Sequence, residues 1–128
     1  MQDLNTSDSQ GFQRQYSTKY LERILIKEDE RDVFIDVTDI RWIESSGNYV
    51  KLHLTDKVHM IRGSLKKLQE KLHPLRFVRI HRSHIVNVGE IQAIEPWFSG
   101  DSKVILNDGK NLKMSRNYKD NLDRFKIT

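Results

Sequence analysis

From Tyr20 onward the chain breaks into short apolar and β-branched runs that recur about every eight to twelve residues, and this rhythm restricts the fold more than any other feature. It is the spacing of strands in an all-β domain. Tyr20 to Ile26 reads as a first strand, followed by the charged turn Lys27-Glu28-Asp29-Glu30-Arg31. Val33 to Val37 is β-branched and aromatic, Thr38-Asp39 breaks it, and Ile40 to Glu44 follows. Tyr49 to Leu54 puts Val50, Leu52 and Leu54 on one face and Tyr49, Lys51 and His53 on the other. Thr55-Asp56-Lys57 reads as a hairpin loop, with Val58 to Ile61 returning. Further strands are expected at Phe77–Ile80, Ile85–Val88, Ile91–Pro96, Lys103–Leu106 and Leu112–Met114. Asn107-Asp108-Gly109 supplies the turn between the last two.

Two helical patterns interrupt the strands. Ser64 can cap a helix whose Leu65, Leu68 and Leu72 share one face and which His73-Pro74 ends. Ser115 can cap a second, with Tyr118, Leu122 and Phe125 forming its apolar stripe. Both stripes read as ordinary core packing. Residues 1–19 are rich in Gln, Ser, Asp and Asn, with Phe12 and Tyr16 as their only aromatic side chains, and read as a flexible linker or tail. Residues 20–128 then form one mainly β (α+β) domain with one or two short helices.

Composition removes several function classes. Cysteine is absent, which rules out a disulfide framework, a thiolate zinc site and a cysteine nucleophile. No apolar run exceeds three residues, so no segment reads as a membrane span, and the expectation is a soluble cytoplasmic chain. The net charge of +4 is uneven: residues 1–30 carry −2 and residues 31–128 carry +6. That asymmetry favours a polyanionic partner.

The chemistry gathers in three places. In Arg76-Phe77-Val78-Arg79-Ile80-His81-Arg82-Ser83-His84-Ile85-Val86-Asn87, two apolar segments bracket four residues able to hydrogen-bond. A turn serving only to reverse the chain would use Gly, Pro, Asn or Asp, whereas this one carries Arg82, Ser83 and two histidines. Arginine offers a rigid fork of donors for phosphate oxygens and guanine edges. The plain alternative is a solvated basic connection. Ser45-Ser46-Gly47-Asn48-Tyr49 has the form of an ordinary hairpin turn, yet it could present the Asn48 amide to adenine beside Lys51. Ser115-Arg116-Asn117-Tyr118-Lys119 opens the last helix with cations that oppose its dipole, a local conflict of the kind found at binding sites.

Catalysis and metal binding find little support. Ser83 between His81 and His84 lacks a base oriented by a third group, and no Gly-rich phosphate loop is present. A hairpin centred on Asp56 would set His53 opposite His59, but two imidazoles make a poor metal site. His81 and His84 would point to opposite faces of an extended strand. No enzyme activity, metal or cofactor is expected.

Four stretches together resemble the LytTR family of bacterial DNA-binding domains. They are Asp39-Ile40-Arg41-Trp42-Ile43-Glu44-Ser45-Ser46-Gly47-Asn48-Tyr49-Val50, Arg62-Gly63-Ser64-Leu65-Lys66-Lys67-Leu68, Phe77 to Asn87 as quoted above, and Leu112-Lys113-Met114-Ser115-Arg116. They occur in family order and spacing across roughly residues 20–127, and the third is the most specific. The resemblance implies an elongated arrangement of small antiparallel sheets whose loops enter successive major grooves of duplex DNA and bend it. By motif position it makes Asn48, Arg82 and Arg116 the base-reading candidates. It assigns Ser64, Arg79, Ser83, Asn117 and Lys119 to phosphates. Phosphate contacts set register while base-edge contacts set sequence.

The resemblance also implies a two-component transcriptional regulator acting on promoter repeats, a homodimer on DNA, and a missing receiver or sensor domain. The isolated chain is then expected to be monomeric in solution. The competing expectation is an RNA or single-strand binder using Trp42, Tyr49 or Trp97 as stacking platforms. A basic module docking an acidic protein is a third.

Overall fold

The computed structural model describes residues 19–128, so the expected tail over residues 1–19 lies, but for Lys19, outside the described residues. The described chain is mainly β, with ten strands in three antiparallel sheets. Strands β1 (Arg23–Glu28) and β2 (Arg31–Asp36) form a two-stranded ribbon. Strands β3 (Trp42–Ser46), β4 (Tyr49–His53), β5 (Val58–Arg62), β6 (Phe77–His81) and β7 (His84–Asn87) form the central sheet in the order β5-β4-β3-β7-β6. Strands β8 (Ile91–Pro96), β9 (Ser102–Leu106) and β10 (Asn111–Met114) form a third sheet in the order β10-β9-β8.

The central sheet is covered on both faces. On one side Ile43, Val50, Leu52 and Ile85 pack under the β1–β2 ribbon, through Ile24, Ile26 and Ile35, and under the helix α1 (Leu65–Lys71). On the other, Trp42, Val78, Ile80 and Val86 meet Val104, Leu106, Leu112 and Met114 of the third sheet. The alternation expected in β4 holds: Val50 and Leu52 are fully buried while Tyr49 is exposed. Helix α1 forms as its sequence indicates. Ser64 Oγ accepts the Lys67 N–H at 3.2 Å, and Leu65, Leu68 and Leu72 are buried.

Four expectations need correction. The segment after Ser115 is a 3-10 helix over Arg116–Phe125, and the Ser115 side chain makes no cap bond. Asn117, Asp120, Asn121 and Asp123 have low α-helix propensity because their side chains compete for the backbone. The Arg116 N–H is instead taken by Asp101 Oδ1 at 3.0 Å, and Asn121 Nδ2 donates to the Arg79 carbonyl at 2.9 Å. Next, the strand expected at Ile40 starts at Trp42, because Val37–Asp39 makes a 3-10 turn and Ile40 becomes a buried connection.

The β4–β5 hairpin pairs His53 with Val58 and His59 with Leu52, so the two imidazoles are not opposite each other. His53 stacks on Trp42 at 3.9 Å, whereas His59 Nδ1 lies 3.7 Å from Glu28. Last, His81 and His84 share a face. A register shift between Arg79 and His81, followed by the Arg82-Ser83 turn, pairs the two histidines and stacks their rings at 4.9 Å. The cause is an extra residue in β6, which undoes strict alternation.

Candidate nucleic-acid interface

Antiparallel order brings the end of β3, the start of β4, the ends of β5 and β6 and the start of β7 to one end of the central sheet. Three backbone hydrogen bonds stitch their loops together. The Gly63 N–H donates to the Asn48 carbonyl at 3.1 Å, the Ser45 N–H to the Ser83 carbonyl at 2.9 Å, and the Ser115 N–H to the Ile80 carbonyl at 2.9 Å. Ser64, Asn48, Ser83, Arg82 and Arg116 are thereby set on neighbouring loops along one edge of the molecule.

Each loop is shaped by a different device. Gly47 and Asn48 form a two-residue connection between paired Ser46 and Tyr49, and Gly47 has φ 61°. Positive φ at the first central position alone is the pattern of a type II′ turn, which leaves Asn48 exposed at the tip. The Arg82-Ser83 turn has neither Gly nor positive φ, so side chains must hold it. His81 Nδ1 accepts the Ser83 N–H at 3.0 Å. Arg79 lies behind it, with Nε donating to the His81 carbonyl at 2.9 Å and a terminal nitrogen donating to the Arg82 carbonyl. Its other terminal nitrogen reaches Gln69 Oε1 of α1 at 3.1 Å. Arg79 is therefore half-buried and braces the turn, while Arg82 is exposed.

At the third loop, Asp101 Oδ1 holds the Arg116 N–H and its other oxygen lies 3.4 Å from Lys113 Nζ. The Arg116 N–H bond and then Lys113 hold the Asp101 carboxyl below the usual carboxylate range. Arg116 and Asn117 are exposed here. Lys119 lies further on, at the rim of a groove lined by Met114, Leu122 and Phe125. No ion pair among the described residues engages the side chains of Arg82, Arg116 or Lys119.

The two histidines under the turn are both shifted toward the neutral form. Burial, then the nearby Lys113 and Arg82 charges, push His81 below the ordinary histidine value. Burial first and His81 second do the same to His84. A neutral ring is what the Ser83 bond requires, since a protonated Nδ1 could not accept it.

Sequence reasoning missed Gln69 and Asp101, which act by holding Arg79 and Arg116. Their partners are remote in sequence, so no local signal marked them. Of the stacking platforms considered for single strands, Trp42 is buried, while Tyr49 and Trp97 are partly exposed. No group of three or more His, Asp or Glu able to hold a metal exists among the described residues. None of their helices is long and apolar enough to cross a membrane.

The similarity to known proteins agrees with this geometry. The chain is 34% identical over 89 residues to the sensory transduction protein LytT of Oceanobacillus iheyensis, covering 69% of this chain and 36% of the relative. It is 31% identical over 97 residues to LytT of Enterococcus faecalis, covering 76% and 40%. The transcriptional regulatory protein LytR of Staphylococcus aureus is 24% identical over 102 residues, covering 80% and 42%. The chain thus spans about two fifths of the length of these relatives. A solved LytTr DNA-binding domain from Bacillus cereus shares the fold with TM-score 0.72 at 20% identity, over 81% of this chain and 95% of that one. The model of the LytTr DNA-binding domain family matches residues 30–126, and the chain belongs to that family.

Proposed function

We propose that this domain binds double-stranded DNA sequence-specifically, through loops inserted in the major groove, as the output domain of a bacterial transcriptional regulator of two-component type. The observation that carries the reading is the convergence of the Asn48, Arg82 and Arg116 loops on one edge, tied by backbone bonds to Gly63, Ser45 and Ile80. Asn48 suits adenine, and Arg82 and Arg116 suit guanine, by their bidentate geometry. Ser64, Ser83, Asn117 and Lys119 contact phosphates and fix the register. Arg79 sets the shape of the Arg82 turn and adds its charge beneath the phosphate path. A receiver or sensor domain completes the regulator, and two copies occupy repeated half-sites as a homodimer on DNA. The domain performs no chemistry and works in the cytoplasm.

Selection from a randomised duplex pool at near-physiological salt tests this. Enrichment of a short motif, repeated about one helical turn apart, is the expected result. Binding that enriches nothing and only weakens with salt would reduce the site to non-specific phosphate attraction and sink the reading.

A further inference from the structure

One surface at the same edge remains unused by this scheme. The loop between β8 and β9 carries Trp97 and Phe98, which are 38% and 76% exposed, and Phe98 is the most exposed of the described aromatic side chains. Their rings lie 6.1 Å apart. A large aromatic left in water has a cost unless something covers it.

The loop is held firmly. The Trp97 N–H donates to the Asp101 carbonyl and the Asp101 N–H to the Phe98 carbonyl, both at 2.9 Å. Ser99 has φ 56° and Gly100 φ 83°, so the chain passes through the left-handed region at a non-glycine residue. Such a conformation persists only where its surroundings enforce it. Here the enforcing contacts lead to the base-reading end. Asp101 holds the Arg116 N–H, and a Cβ at Gly100 would lie 3.5 Å from Arg116 Cδ. The loop and Arg116 are therefore in direct contact.

The charges around it choose the occupant. Lys103 Nζ lies 5.8 Å from the Trp97 ring centre but pairs with Glu95 at 3.6 Å, and Lys113 pairs with Asp101 at 3.4 Å, which leaves Arg116, beside Gly100, as the cation with no acidic partner among the described residues. The uncompensated charge beside the loop is therefore a cation, which the same surface of a second copy would not complement. A polyanion with apolar patches fits better, and duplex DNA offers deoxyribose faces and thymine methyl groups between its phosphates. We propose that Phe98, backed by Trp97, makes an apolar contact with duplex DNA beside the base pairs read by Arg116. This rests on the DNA-binding reading above, and extends the contact edge by a loop that neither the resemblance nor the charge pattern marked.

The test uses the whole chain and a duplex recovered from the randomised pool. Phe98→Ala should weaken binding about tenfold while leaving the melting temperature and the preferred sequence unchanged. Phe98→Leu should recover most of that loss. Trp97 fluorescence should become shielded from acrylamide in the complex, whereas buried Trp42 contributes a constant background. Full affinity in Phe98→Ala, or a Trp97 still open to acrylamide in the complex, overturns the inference. So does a Phe98→Ala effect confined to the sedimentation mass, which would assign the loop to contact between copies. Arg116→Ala separates the two claims. If it weakens binding and Phe98→Ala does not, only this inference falls. If the chain binds no duplex at all, both fall.

Discussion

The two ends of the central sheet are built from similar residues and put to opposite uses. At the end where β3 and β6 begin, Arg41 is nearly buried, with Nε donating to Glu90 at 3.0 Å and a terminal nitrogen 2.7 Å from Asp108. Beside it Asn87 is buried, donating to the Ile40 carbonyl at 2.9 Å and accepting the Gly89 N–H at 3.0 Å. Polar groups there are consumed by the fold. At the other end, Asn48, Arg82 and Arg116 are exposed, and among the described residues no acidic side chain pairs with either arginine. Their donors remain available to an outside acceptor. An arginine's neighbours, more than its identity, decide whether it stabilises or recognises.

That contrast can be broken or sharpened by substitution. The largest effect should come from Asn87→Ala, which strands the buried Ile40 carbonyl, frees the Gly89 N–H and should cost about 3 kcal/mol of stability. Urea unfolding would measure it, and DNA preference below the transition should be unchanged; a changed preference would blur the division between the ends. Next, Arg82→Ala should lose about 2 kcal/mol of discrimination at its base while leaving urea unfolding untouched. Competition with single-base duplex variants reads this, and equal loss on every sequence would move Arg82 to the phosphate class.

A smaller effect is expected from acid. His81 and His84 are held below the ordinary value of 6.5, so the folded state favours neutral rings. Their contribution is complete above that value and is lost as pH falls through the depressed values. Stability should therefore drop as pH falls through and below 6.5, with a flatter profile in His84→Gln. An unchanged slope in the variant would show that the pair is not the titrating group. The smallest change should come from Lys119→Ala, which should weaken binding on all duplexes and lower the salt slope by about one. A sequence-dependent loss would make Lys119 a reader of bases.

Much of this architecture was readable along the chain, and for local reasons. Val50 and Leu52 alternate with Tyr49 and Lys51, the leucines after Ser64 recur at helical spacing, and Asn107-Asp108-Gly109 marks a hairpin. Each signal sits within one element. The 3-10 helix over Arg116–Phe125 was less legible, because its geometry depends on Asp101, Arg79 and Pro74 in three other segments. The motif from Phe77 to Asn87 mixed two roles that its residues alone do not separate. Arg82 is exposed at the turn, whereas Asn87 is buried at the far end and holds backbone.

Side-chain alternation, turn chemistry and capping placed the strands and α1, since these preferences act over a few residues, while the family resemblance marked the candidate reading residues. Tertiary packing alone joined the Asn48, Arg82 and Arg116 loops along one edge, tied Arg79 behind the Arg82 turn and set Gly100, two residues after Phe98, against Arg116. Those outcomes depend on strand order and on bonds between distant segments, in which each partner is defined only once the sheet exists.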